Sequence, residues 1–307
     1  LVVPSRSAER AGWPIVDVID RRREDPAKAG LLGERLVPFL RGPGPVVCVL
    51  NRTGRSKLLA CGACGELARC EQCAAAVAQG DESMLTCPRC AATRPAVCAS
   101  CGSTSLRNLR AGVTRVREEL EALALRPVVE VTGAHELGDR RADVYVGTEA
   151  VLHQLHEARV VIFLDFDQEL LAPRARAAEQ AMVLLARAAR LVGDRASGGR
   201  VVVQTRIARH EVLDAAVRAD PGRFAAIERE RRRELALPPE TALAMVSGAA
   251  AEAFIERLGR PLGIDVLGPL DGRWLVRAPD HRTLCDALAA VERPTGRLRI
   301  EVDPQRF

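Results

Sequence analysis

The chain has 307 residues, of which 48% are hydrophobic and 28% charged, enough for two or more domains with ordinary cores. No apolar run is long and charge-free enough to cross a bilayer as a helix. The net charge of +5 rests almost wholly on arginine, since Lys28 and Lys57 are the only lysines, and aromatics make up 3%; a groove that holds single strands by base stacking has few rings to use, and any nucleic-acid contact is expected to be mainly electrostatic.

The Ala- and Arg-rich composition also reflects a coding bias, so it is not read wholly as function. The chain starts at Leu1 rather than Met, with no targeting segment after it, and reads as a piece of a longer protein begun mid-sequence.

In chain order, Val46–Leu50 is a short buried-strand pattern ending at Asn51-Arg52-Thr53-Gly54. Eight of the ten cysteines then fall in four C-x2-C pairs: Cys61/Cys64, Cys70/Cys73, Cys87/Cys90 and Cys98/Cys101. A two-residue loop lets both thiolates of a pair reach one ion, and four pairs supply two closed tetrahedral sites. Four thiolates fill the coordination sphere, which makes the sites structural rather than catalytic. A disulfide framework is the competing reading, but the rest of the chain can build a core and no signal peptide calls for an oxidising compartment. No thioredoxin-like strand–helix context suggests redox pairs. Sequence alone leaves the pairing open. The short Glu66–Arg69 spacer favours a nested order, with Cys61, Cys64, Cys98 and Cys101 at the base and Cys70, Cys73, Cys87 and Cys90 at the tip. Cys48 and Cys285 stand alone in apolar stretches and are expected to be buried small hydrophobes.

Downstream, Thr114–Leu125 reads as a helix with Val116, Leu120 and Leu123 on one face. Val128–Thr132, Asp143–Val146, Val160–Asp165 and Val201–Thr205 read as strands, and Ala175–Leu191 as a long helix. Strands alternating with helices indicate an α/β parallel sheet, which the cysteine module interrupts as an insertion. From about Arg209 the character changes. Phe224–Leu235 is a charged helix stopped by Pro238-Pro239, expected to present a solvated Arg/Glu face. Thr241–Ser247, Trp274–Ala278 and Leu298–Val302 read as strands, and Ala250–Leu258 and Arg282–Val291 as helices, making a small α+β domain.

These residues, in this order, resemble the C-terminal half of the PriA replication-restart helicases (primosomal protein N′). The match runs from Leu50-Asn-Arg-Thr-Gly54 through the four pairs to Gly112-Val-Thr-Arg-Val-Arg-Glu-Glu-Leu120. It continues at Gly147-Thr148, Arg176-Ala-Ala-Glu179, Val203-Gln204-Thr205, Arg232-Arg-Glu-Leu235 with Pro238-Pro239, Ala278-Pro-Asp280 and Asp303-Pro304, and so covers nearly the whole chain. The resemblance implies a RecA-like second helicase lobe in two parts (1–57 and 104–208), an inserted two-zinc module (58–103) and a C-terminal α+β domain (209–307).

The departures fall on the ATP-coupling motifs. His153 and Gln154 stand where the family has the lysine and glycine of a Lys-Gly-His element. In Arg187-Ala-Ala-Arg-Leu-Val-Gly-Asp194, Leu191 and Asp194 stand where the final motif has two arginines, the second of which meets the γ-phosphate. An acid there repels a triphosphate, so no ATP hydrolysis is expected from this lobe, although ATP is the family's nucleotide. No G-x4-G-K-[ST] phosphate loop occurs in the chain. Three further features are weighed. Asp165 and Asp167 at a strand end suit either Mg2+ or, more simply, solvated acids. His153 and His156 lie about a helical turn apart without a third ligand. Ser197-Gly-Gly199 is a turn before a strand.

The expected function is a replication-restart protein that binds forked or single-stranded DNA without helicase activity of its own. Two Zn2+ build its module, and Arg69, Arg89, Arg94, Arg107 and Arg110 meet phosphates or offset the roughly −4 charge of eight thiolates and two zinc ions. The resemblance implies single-stranded-DNA-binding protein and primosome or helicase-loading proteins as partners, in the bacterial cytoplasm at the nucleoid and with no membrane. The alternatives are an active 3′-5′ helicase with drifted motifs and a zinc scaffold that binds only protein.

Overall fold

The computed structural model describes residues 5–22, 24, 30–51, 59–79, 83–108, 113–131 and 141–304. Arg52, Thr53, Gly54, Arg110, Gly112 and Thr132, used in the sequence reading, lie outside the described residues. The chain divides into two compact units, Leu1–Pro221 and Gly222–Phe307.

The first unit opens with α1 (Arg6–Ala11), β1 (Ile15–Asp20), α2 (Val37–Leu40) and β2 (Val46–Val49). Five short strands follow: β3 (Leu59–Cys61), β4 (Ala78–Gln79), β5 (Met84–Thr86), β6 (Thr93–Pro95) and β7 (Leu106–Asn108). Then come α3 (Val113–Ala124), β8 (Val128–Val131), β9 (Val144–Gly147), α4 (Val151–Gln154), β10 (Val160–Phe163), α5 (Asp167–Leu170), α6 (Ala177–Val192), β11 (Arg200–Thr205) and α7 (Glu211–Val217). The second unit takes α8 (Pro221–Glu234) across the boundary, then β12 (Ala242–Ser247), α9 (Ala251–Leu258), β13 (Asp265–Leu270), β14 (Arg273–Ala278), α10 (His281–Ala289) and β15 (Arg299–Val302).

Six strands form one sheet in the order β1-β11-β10-β2-β9-β8, with every pairing parallel. Parallel strands are covered on both faces and so read as continuous apolar runs. β2, β9 and β10 are buried at every position. Val46, Cys48, Ile162 and Val202 share a core with Val116, Leu120 and Ala124 of α3. The three α3 residues stand at i, i+4 and i+8, one helical face. Two elements of this unit carry no clear sequence signal. β1 breaks its apolar run with Asp17 and Asp20, and α7 is seven residues long.

Gly147 closes β9 where β8 runs nearest. A Cβ built there would stand 2.2 Å from the Val131 carbonyl oxygen. Gly147→Ala must push β8 from β9, and overpacking of this kind costs about 1–3 kcal/mol. A drop in the thermal midpoint with an intact second unit is the expected result, and an unchanged midpoint contradicts the contact.

The module enters after β2 and leaves before α3, an insertion between sheet strands. Its core is thin: Leu59, Ala68, Cys70, Ala75, Val77, Leu85 and Cys87. It is seated on the sheet domain, because Ala60, Leu67 and Ala76 pack on Leu171, with Ile207 at the edge, and Ala76 N–H donates to the Leu171 carbonyl at 2.9 Å.

In the second unit the elements run β-α-β-β-α-β, and the sheet order is β13-β14-β12-β15, antiparallel throughout. This is the split βαβ arrangement. Its core joins Ala244, Val246 and Val276 to Phe254 of α9 and Leu284 of α10. β13 hides in the sequence because Gly268-Pro269 interrupts it. Two expectations are corrected here. Cys285 is exposed rather than buried: α10 turns Leu284 and Leu288 inward, and the next residue points about 100° away. The α8 face is not wholly solvated either, because Phe224, Glu228 and Arg232 are buried at i, i+4 and i+8. Among the described residues no helix is long and apolar enough to cross a membrane.

Candidate metal centre

The four C-x2-C loops fold the same way. In each, the N–H four residues after the first cysteine donates to that cysteine's carbonyl at 2.9 Å: Gly65 to Cys61, Ala74 to Cys70, Ala91 to Cys87 and Gly102 to Cys98. The first cysteine's N–H donates one residue further on, to Glu66, Ala75, Ala92 and Ser103, each at 2.8 Å. Closing so tight a loop requires a left-handed residue after the second cysteine. Its φ is +77° at Gly65, +58° at Ala74, +58° at Ala91 and +72° at Gly102. Glycine takes this conformation freely and alanine does not, so the tip loops hold a strained residue where the base loops do not.

The eight sulfurs gather in nested order. Cys61, Cys64, Cys98 and Cys101 form one cluster and Cys70, Cys73, Cys87 and Cys90 the other, with the four sulfurs of each within 4.8 Å of one another. Cross-loop separations are 3.6 Å for Cys61–Cys101 and Cys64–Cys98 and 3.5 Å for Cys70–Cys90 and Cys73–Cys87. A disulfide needs about 2.05 Å. The edge of a tetrahedron with metal–sulfur distances of about 2.3 Å is about 3.8 Å. The donor set and its spacing therefore fit two tetrahedral zinc ions. Backbone N–H groups turn toward the inner sulfurs, Ala63 to Cys61 and Arg89 to Cys87, both at 3.4 Å. Burial raises the Cys61 thiol, but the Cys64 and Ala63 N–H groups and the Cys101 and Cys64 side chains outweigh it and bring it to about 6. At Cys64 the Glu66 N–H lowers the thiol, while burial and the three neighbouring sulfurs raise it further; a bound zinc ion would hold it as the thiolate. Among the described residues these are the two groups of three or more His, Cys, Asp or Glu able to hold a metal.

The arginines singled out in the sequence divide. Arg94 is turned inward as a brace, donating to the Val97 carbonyl at 2.6 Å and the Arg69 carbonyl at 3.3 Å, with its side chain 15% exposed. Arg69 pairs with Glu66 at 2.9 Å on the surface. Arg89 is half-buried and Arg107 exposed.

Beyond the module, residues from separate motifs meet at the C-terminal ends of the sheet strands. Asn51 after β2 accepts the Glu149 N–H at 2.5 Å. Glu169 lies buried beside Asn51, paired with Arg174 at 3.2 Å, and burial raises its carboxyl against those partners. Asp167 is 4% exposed rather than solvated. It accepts the Thr205 hydroxyl and the Arg206 N–H, and burial, then Asp165, push it up to about 6. Gln204 donates to the Leu31 and Leu164 carbonyls and accepts the Gly33 N–H, all at 3.0 Å. Sequence spacing could not show these convergences, which depend on strand order. His153 and His156 do not share a helix: α4 stops at Gln154, Leu155 is extended, and both imidazoles are exposed. Asp194 caps the turn after α6, accepting the Ser197 N–H at 2.7 Å, and that bond holds its carboxyl below the usual range.

No family model matches the chain. Among curated proteins it is 32% identical to a probable replication restart protein PriA of Mycobacterium leprae, over 91% of this chain and 45% of that protein. It is 26% identical to the replication restart protein PriA of Haemophilus influenzae, over 95% of this chain and 46% of that protein. For the Bacillus subtilis protein of the same name the figures are 29%, 78% and 33%. The chain thus spans about half the length, or less, of the curated relatives it matches.

Proposed function

This chain is a homologue of the PriA replication restart proteins along most of its length, and on that premise we propose that it serves replication restart by binding branched DNA, with no helicase activity of its own. The observation that carries the reading is the module: four complete cysteine loops, two four-sulfur clusters and a defined seat on a parallel-sheet domain. In this reading the sheet domain is a RecA-like second lobe and the two ions are zinc. The module is a rigid wedge or docking surface at a fork. Arg69, Arg89 and Arg107, with Arg110 after them, meet phosphates, while Arg94 braces the fold. Single-stranded-DNA-binding protein and helicase-loading proteins are the partners, in the bacterial cytoplasm at the nucleoid. The loss of the motor is argued from Asp194, an anion engaged in its own turn where the family places an arginine.

Forked-DNA binding measured against salt tests the contact mode. On duplex arms each phosphate contact contributes about 0.9 to the log–log salt slope. Replacing Arg69, Arg89 and Arg107 together with alanine is expected to weaken binding and lower that slope by about 2–3. Binding that ignores salt argues against phosphate contact, and no binding at all favours a protein-only scaffold. DNA-stimulated ATP hydrolysis by the full-length protein, abolished by Asp194→Ala, overturns the motorless reading.

A further inference from the structure

The eight sulfurs divide by access to solvent. The first cysteine of each pair, Cys61, Cys70, Cys87 and Cys98, is buried. Of the second cysteines, Cys64, Cys90 and Cys101 are exposed and Cys73 is half-buried. Nesting shares these unequally. The base cluster has two open sulfurs, Cys64 and Cys101. The tip cluster has one, Cys90, and the Gln72 side-chain oxygen lies 3.8 Å from it. In the base cluster each open sulfur faces a buried one across the loops at 3.6 Å, Cys64 to Cys98 and Cys101 to Cys61. A disulfide is within reach of either pair after a shift of about 1.5 Å. The base cluster also adjoins the seat of the module. Ala60 precedes Cys61 in β3, and Leu67 bridges back to Ala60; both pack on Leu171.

We propose that the base cluster is a site of reversible thiol oxidation, in which Cys64 and Cys101 are the sulfurs oxidised first and metal release loosens the module from its seat. The proposal rests on the reading of the clusters as zinc centres. Hydrogen peroxide is the oxidant. An outer thiolate attacks a peroxide oxygen, leaving a sulfenic acid and hydroxide. The buried thiolate across the loop then attacks that sulfur, the S–S bond forms and a second hydroxide leaves. Two protons from solvent turn both hydroxides into water, and the two electrons lost by sulfur reduce the peroxide. With two of four ligands gone the ion departs, and an excess of dithiol reductant reverses the bond. Thiolate reactivity follows exposure, so the tip cluster oxidises later.

Zinc in the purified full chain is counted first. Fewer than two per chain defeats the zinc reading itself, separately from this proposal. Peroxide is then added with a chromogenic zinc chelator, and the disulfides are mapped by mass spectrometry over time. The expected result is loss of half the zinc in a fast phase. Cys64–Cys98 or Cys61–Cys101 is the first disulfide, hydrogen exchange rises at 59–67 while 70–75 and 87–92 keep their protection, and dithiothreitol plus zinc restores all three signals. Release of both ions in one phase, or Cys70–Cys90 appearing first, overturns it.

Discussion

Cys87→Ser is expected to remove one metal ion of two and unfold the tip of the module while the parallel sheet stays folded. The reason lies in how little else holds the module together. Its core is mostly alanine and cysteine around Leu59, Val77 and Leu85, and its strands are two or three residues long. A piece of that size does not bury enough apolar surface to offset chain entropy. Bound metal ions would supply what is missing, about 10–16 kcal/mol for structural zinc in small domains. Cys87 is 1% exposed, so the substitution leaves a buried hydroxyl in place of a ligand. Elemental analysis with hydrogen exchange checks this. The expected pattern is one zinc lost and protection collapsing over residues 83–95, with β2, β9 and β10 unchanged. A variant that keeps two ions and its protection defeats the structural role of the clusters.

The second large effect belongs to the C-terminal unit. Arg232→Ala is expected to destabilise it by about 3–5 kcal/mol, the range for removing one partner of a buried ion pair. Arg232 and Glu228 have side chains only 9% and 10% exposed, with Nε to Oε1 at 3.0 Å. Arg232 also donates to the Pro238 carbonyl at 3.0 Å, which ties α8 to the turn before β12. The alanine variant leaves Glu228 buried, with Arg231 still in reach at 2.9 Å but 42% exposed. Urea denaturation followed by a probe in this unit reads the loss. Replacing Arg232 and Glu228 together with leucine and methionine should recover part of it, because no lone charge is then buried. A cost under about 1 kcal/mol for Arg232→Ala would mark the pair as a surface contact.

The exposed Arg233–Glu230 pair in the same helix, 56% and 58% exposed, belongs to that weaker class. In sequence the two pairs look alike, as alternating charge along one segment. Only the position of the buried Phe224 face separates them.

Much of the molecule was legible without coordinates because short-range chemistry determines it. Continuous valine runs announced β2, β10 and β11, since a strand covered on both faces has no polar side to show. The C-x2-C spacing announced the cysteine loops, since the two-residue bite is a local property; the short spacer only favoured nesting, and the pairing itself is decided by the fold. What remained hidden was non-local. β1 carries two aspartates: Asp17 meets Arg200 only once β11 lies beside it, while Asp20 pairs locally with Arg22. Asp167 looked like a solvated strand end and is buried, because β11 brings Thr205 and Arg206 to it. Arg94, weighed as a phosphate contact or a charge offset, donates to the Val97 and Arg69 carbonyls, which only the fold brings within its reach. The sequence alone determined which residues can hold metal and where helix and strand alternate. Strand order and the seat of the module decided which charges are buried, which sulfurs face water and which motifs touch, because those depend on contacts between residues far apart in the chain.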